Sequence, residues 1–424
     1  MAISPAVVNS NPTPGFWDKP ASFSFSEELI TFGCADVFEA GFYQLFCFFN
    51  GLSSLADIFF ISEIIRGIIV ICYCVYTTIY QLLRGIVMEK RKIMSLGRSS
   101  LVISLPKYWV QLNELKQGDV VSVAMSRDRS LVIFPGAKKE REAEKITLHV
   151  DEGDKVSQVI RSIIACYLDG YSEIKLVSKK FFKATQQKAL RDAVKKLYMR
   201  IMEADSKQMR IVTLIDESRA SVETGIKRMY ALSSSMCKDV LSALKNNDVE
   251  LAKTVYALDD EVDNFAFFLL RLVRKAATDP TLANQLNLDA LDCLDYQTFT
   301  HRIEQIADQA TSIAKSIIMM HESRKKISKN ISDKLYLAGS TALDLYEKAV
   351  NSLFTNDIKA SEEVITRKAD VEKLDREIAA LAFLKEKDTT VICACCSIRD
   401  SILRIAGFAA DIAEIALDRF YKPT

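Results

Sequence analysis

Hydrophobic and polar positions change their period along this chain, and each change marks a different kind of element. From residue 216 onward Pro is almost absent, and apolar residues recur every three or four positions. That spacing predicts long amphipathic helices. They break at Asn246-Asn247, Thr278-Asp279-Pro280, residues 325–330, Asn356-Asp357 and Lys387-Asp388, where turn and capping residues cluster. The breaks predict six helices of about 25 to 30 residues, a bundle of low contact order.

Upstream, the period alternates. Residues 146–150 read as a strand, 156–167 as an amphipathic helix, 173–177 as a strand, 181–202 as a second helix and 209–214 as a closing strand. This is a small α/β middle domain of βαβ character, spanning 137–215 with the charged linker 138–145 at its start. Its lone His149 reads as an ordinary surface or core residue. Residues 88–136 have the period of strands: Leu101-Val102-Ile103-Ser104-Leu105, then Pro106 and a helical turn over 107–112, then Gly118-Asp119 and a hairpin of 120–125 with 131–134. A unit this small is marginal alone, which predicts a dimer through shared strands.

Residues 1–87 differ again. They are rich in Phe and Cys, open on Asn11-Pro12-Thr13-Pro14-Gly15, and contain a run from 67 to 83 without a charge, bracketed by Arg66 and Arg84. About 17 apolar residues is the lower limit for a membrane-spanning helix. Two readings stay open. The run is a membrane anchor that tethers the protein, or Met88 is the native start and the extension is a misassigned one.

With 56 basic against 55 acidic residues, total charge demands no nucleic-acid partner, so such a partner must be argued locally. Residues 89–135 supply the local case, with eight Lys and Arg against four Asp and Glu. Ten cysteines without regular spacing point to reduced thiols and a cytoplasmic setting. Cys393-Ala394-Cys395-Cys396 lies in an apolar helical run and reads as core packing.

The candidate chemistry lies in the helical half. In His301-Arg302-Ile303-Glu304-Gln305-Ile306-Ala307-Asp308, Glu304 and Asp308 share a helix face beside the apolar stripe of Ile303, Ile306 and Ala307. An earlier helix carries Asp259 and Asp263 at the same spacing. Packed side by side, the helices would converge four hard oxygen donors suited to Mg, Mn, Ca or Fe, a divalent or trivalent ion. A solvated acidic face is the alternative. The helical half also repeats: Asn247-Asp248-Val249 aligns with Asn356-Asp357-Ile358, and Ile313-Ala314-Lys315 with Ile412-Ala413-Glu414. Two three-helix units in tandem follow. The repeat places Lys368, Glu372, Leu403 and Gly407 at the positions of the four carboxylates, so one site per chain is expected.

Two resemblances give these elements a function. Arg91-Lys92-Ile93-Met94-Ser95-Leu96-Gly97-Arg98-Ser99-Ser100-Leu101-Val102-Ile103-Ser104-Leu105-Pro106-Lys107, with Leu115-Lys116-Gln117-Gly118-Asp119, resembles the SpoVT-AbrB (MazE-like) DNA-binding domain. That family implies a swapped-hairpin β-barrel head, a homodimer, and double-stranded DNA contacted by Lys90, Arg91, Lys92, Arg98 and Lys107. The tandem over 216–424, with its acidic motifs, resembles PhoU, a regulator in phosphate signalling. This resemblance implies metal ions on Asp259, Asp263, Glu304 and Asp308, phosphate bound through them, and transporter subunits or signalling proteins as partners. The expected whole is a multidomain, mainly α protein, with an AbrB-like head, an α/β middle and tandem three-helix bundles. It is expected to be a non-enzymatic transcriptional regulator of phosphate homeostasis. The alternative is an adaptor that regulates a phosphate transporter by protein contact, its head only dimerising.

Overall fold

The computed structural model describes residues 89–125, 129–136, 144–151 and 153–422. They fall into two compact units, Met1–Lys107 and Tyr108–Thr424. The apolar run 67–83 and the alternative start at Met88 lie outside the described residues. Among the described helices none is long and apolar enough to cross a membrane.

In the first unit, β1 (Met94–Leu96) pairs antiparallel with β2 (Ser100–Val102). The turn between them holds Gly97 at φ +72°, a left-handed conformation that glycine adopts without strain. Helix α1 (Lys107–Leu112) begins at the unit boundary. In the second unit, β3 (Ser122–Met125) and β4 (Leu131–Phe134) form the expected hairpin. The expected barrel head is not seen: neither unit holds a closed barrel among the described residues. Closure needs a partner on both edges of every strand, and among the described residues each of these four has one. Their apolar side chains stay in solvent accordingly, Leu101 at 74% and Val123 at 57% exposure.

The α/β domain contains β5 (Lys145–Val150), α2 (Val156–Leu168), β6 (Glu173–Ser178), α3 (Ala184–Lys196), β7 (Met199–Ala204) and β8 (Gln208–Thr213). The sheet order is β5-β6-β8-β7, with β5 and β6 parallel and β8 antiparallel to both of its neighbours. Alternation buries Ile174 and Leu176 of β6 and Met209 and Ile211 of β8 against Ile163 and Tyr167 of α2. The helix expected over 181–202 is a correction, because it stops at Lys196. Lys195 and Lys196 complement its C-terminal dipole, Tyr198 turns the chain at φ +51°, and pairing with β8 draws Met199–Ala204 into a strand.

Six long helices and one short one follow: α4 (Val222–Asn246), α5 (Val249–Thr278), α6 (Pro280–Gln285), α7 (Ala290–Glu322), α8 (Lys329–Thr355), α9 (Ile358–Lys385) and α10 (Thr389–Phe420). Local chemistry sets their ends. Asn247 and Asn356 close α4 and α8 in the left-handed conformation, each at φ 54°, and the next residues, Asp248 and Asp357, cap α5 and α9 through their carboxylates. The same Asn-Asp device thus occurs once in each repeat. One apolar core runs through both bundles, from Ile226 and Val262 to Val371 and Ile412. Between them Ser233 and Tyr346 share a buried hydrogen bond of 2.7 Å. Cys395 is fully buried as expected, whereas Cys393 is exposed.

A buried cation fastens the α/β domain to the first bundle. Arg271 of α5 is 1% exposed. Its guanidinium donates to Glu217 Oε1 at 2.7 Å, to Gly170 O and Tyr171 O at 3.0 Å each, and to Tyr167 O, while lying 4.7 Å from the Tyr167 ring centroid. These acceptors complete a desolvated charge.

Candidate metal centre

Helices α5 and α7 pack along their apolar stripes. Val255, Val262 and Ala266 on one side and Ile303, Ile306, Ala307 and Ala310 on the other are buried. A carboxylate one or two positions away from such a stripe is held at the rim of the seam, half in solvent and half out of it. Asp259, Asp263 and Glu304 are half-buried there, and Asp308 is exposed.

Three of these four acids meet. One carboxylate oxygen from each of Asp263, Glu304 and Asp308 lies within 4.8 Å of the other two. Opposite ligands of a hard cation with bonds of about 2.0–2.6 Å are separated by at most about 5 Å, so the three oxygens fit around one ion. Asp259 is not one of the three, and its Oδ1 accepts a hydrogen bond from Thr311 at 3.0 Å. Thr311 is itself buried.

The electrostatics reflect three acids with too little water. Burial pushes Glu304 up to about 7, with Asp308, Asp263 and Asp259 adding to it. Burial likewise pushes Asp263 up to about 6, assisted by Asp259, Asp308 and Asp260 and opposed by Lys196. Asp308 is raised by burial and by Asp259, against Lys315. Without a cation such a group keeps protons near neutrality, and a cation would displace them. The donor set is all oxygen, which fits Mg, Ca, Mn or Fe and disfavours softer metals.

The corresponding part of the second bundle is built differently. Lys368 and Glu372 make a loose ion pair of 4.0 Å along their own helix. Leu403 and Gly407 complete the set on α10. A cation there replaces the need for one.

The sequence pattern missed what the α/β domain adds beside this centre. Lys196 at the end of α3 forms an ion pair with Asp260, and the Tyr198 ring sits 6.4 Å from Phe265 and 6.0 Å from Phe268. Lys196 reads locally as a helix C-terminal charge, and only the packing of α3 near α5 brings it to the acids. The five basic candidates lie elsewhere, all exposed and all in the first unit. Lys90, Arg91 and Lys92 precede β1, Arg98 is in the turn after it, and Lys107 opens α1. Arg91 is paired with Glu89.

A tandem of three-helix bundles with an acidic seam in the first is the class that fold and site define. Residues 226–317 and 335–416 each match the PhoU domain. The two matched stretches fall one in each bundle, and residues 88–136 lie outside the match. Among curated proteins none matches the chain. Two solved structures are similar. One is PhoU from Pseudomonas aeruginosa, 17% identical, with 46% of this chain and 94% of that one covered and a TM-score of 0.42. The other is the phosphate transport system regulatory protein PhoU from Streptococcus pneumoniae, 14% identical, with 46% and 92% covered and a TM-score of 0.41.

Proposed function

We propose that this protein regulates phosphate transport by contact with another protein, with the acidic centre of the first bundle as its responsive element. The role is non-enzymatic. The two matches to the PhoU domain support the regulatory reading. The observation that carries the centre is its asymmetry: three converging carboxylates in one repeat, a Lys368–Glu372 pair in the other. A shared fold that keeps the acids in one copy only does not need them for folding. Asp263, Glu304 and Asp308 would hold the ion, which would neutralise them and offer remaining coordination positions to a phosphate anion.

Regulation requires that the ligand bind two states of the protein unequally. Isolation of the protein from native membranes with and without phosphate tests the reading. Phosphate transporter subunits should co-purify, and Glu304→Gln with Asp263→Asn should alter their recovery. Unchanged recovery in the variant would remove the centre from the mechanism, and absence of transporter subunits would remove the adaptor role.

A second reading is a transcriptional regulator, favoured by the exposed Lys90, Arg91, Lys92, Arg98 and Lys107. In it a head homodimer binds double-stranded DNA. Mobility shifts across a salt series test it, and replacement of Arg91, Lys92 and Arg98 by Ala should weaken binding and flatten the salt slope.

A further inference from the structure

The sheet of the α/β domain, in the order β5-β6-β8-β7, leaves β5 paired on one side only among the described residues. Glu173 N donates to Glu144 O at 3.2 Å, and the parallel register continues with Ile146 opposite Ile174 and Leu148 opposite Leu176. Even-numbered residues of β5 therefore turn their backbone groups to β6, and Lys145, Thr147 and His149 turn theirs outward. These three residues are exposed, whereas Val150 is buried and Ile146 and Leu148 are half-buried on the core face.

Regularity distinguishes this edge from the others. An open strand edge is a template for another chain, and edges that natural proteins keep single are short, bulged, charged or broken by proline. At the far side of the sheet β7 has a bulge between Ile201 and Glu203. Strands β1 to β4 run for only three or four residues each. By contrast β5 runs for six residues, about 20 Å, in unbroken register and without proline. Its lysine, Lys145, stands at the first position, and the ion pair it makes with Glu173 is loose at 3.8 Å.

The strand is also complementary to itself. Laid antiparallel on a second copy with Leu148 on the two-fold axis, Thr147 faces the copy's His149, and on each side of the axis the two exchange both backbone hydrogen bonds. On the core face Leu148 then meets Leu148 and Ile146 meets Val150, so the half-buried apolar groups are covered. Asp151, exposed just past the strand, faces Lys145 at both ends of the pair. Its backbone N–H is already held by the Asp154 carboxylate at 2.8 Å, which ends the pairing there. Sliding the strands by two residues would set Lys145 against His149 and lose both ion pairs. We propose that β5 pairs with β5 of a second copy of this chain, joining two α/β domains into one continuous sheet. This interface rests neither on the acidic centre nor on the head.

Sedimentation of the full chain tests this, together with hydrogen exchange of segment 144–151. One strand pair buries less than the ~1,200 Å² of a stable interface, so the series runs from about 1 to 100 µM. The chain should self-associate, and segment 144–151 should be protected in the associated species. Thr147→Pro removes an outward N–H that the chain's own sheet does not use, so the domain should fold while association and protection are lost. Lys145→Asp and Asp151→Lys should each weaken association by about fivefold or more, by setting like charges opposite each other, and the two together should restore it. The charge exchange decides the matter even if the proline variant does not fold. A monomer throughout the series would overturn the proposal, as would a double charge variant no better than the single ones. So would a dimer whose segment 144–151 exchanges as fast as in the single charge variants, the result that a dimer made by the head alone would give.

Discussion

Thr311 donates its hydroxyl to Asp259 Oδ1 across the α5–α7 seam at 3.0 Å, beside the three acids that meet one turn further along. The two groups therefore have different work. Asp259 joins the helices and adds field, while Asp263, Glu304 and Asp308 form the candidate ligand set. Calorimetry with Mg or Mn should show Asp263→Asn or Glu304→Gln losing about tenfold or more in affinity, roughly 1.4 kcal/mol. Asp259→Asn should lose clearly less, and equal losses would return Asp259 to the ligand set. Thr311→Val, nearly isosteric, should cost stability of about 1–2 kcal/mol through the lost bond to a charged acceptor.

The acids should also make stability depend on pH in an unusual direction. A carboxyl whose folded value lies above its unfolded one holds its proton more tightly when folded, so its stabilisation is complete at low pH and is lost as pH rises through the folded value. With Glu304 at about 7 and Asp263 at about 6, the metal-free protein should melt at a lower temperature as pH rises from about 4.5 to 7. Saturating divalent cation should flatten that slope, and Glu304→Gln should reduce it. Metal affinity should fall as pH drops below about 6, where protons compete for the same oxygens. Thermal melts over this range, with chelator and with cation, check all three.

Arg271 should be intolerant of replacement. Arg271→Leu removes the guanidinium donor to Gly170 O and Tyr171 O, while Tyr167 O keeps the Gly170 N–H at 3.1 Å and Lys275 still pairs with Glu217. The expected loss is about 3 kcal/mol, and hydrogen exchange should accelerate first in residues 165–171. Uniform acceleration through both bundles would contradict a local latch.

Two helical glycines should respond oppositely to alanine. A Cβ on Gly339 would meet Leu241 Cδ2 at 2.2 Å, where α8 packs against α4, so Gly339→Ala should destabilise by about 1–3 kcal/mol. At Gly407 nothing lies within 4 Å, and Gly407→Ala should stabilise by about 0.5–1 kcal/mol through helix propensity alone. Denaturant midpoints of the two variants decide it.

Much of the helical half could be read without coordinates because its signals are local. The left-handed Asn followed by an Asp cap at Asn247-Asp248 and Asn356-Asp357 is a sequence device that ends one helix and begins the next. The i, i+4 spacing likewise put Asp263 beside Asp259, and Asp308 beside Glu304, before any packing was known. The strand β7 was not legible, because Met199–Ala204 has no strong intrinsic preference and becomes a strand by pairing with β8. The swapped-hairpin barrel expected of the head has no support within one chain for a related reason: closing it needs strand partners that lie far in sequence or in a second copy.

The sequence by itself determined the helix period, the capped breaks, the internal repeat and the four acids that distinguish one repeat from the other. Each of these depends on residues within a turn or two of one another, or on comparing two stretches of the same chain. Tertiary structure alone decided which acids meet. Helix register brings Asp263, Glu304 and Asp308 within 4.8 Å, while Asp259 accepts from Thr311. It alone carried Lys196 to Asp260. Charges distant in the chain acquire meaning only when packing fixes their separation and removes water, and nothing in local spacing encodes either.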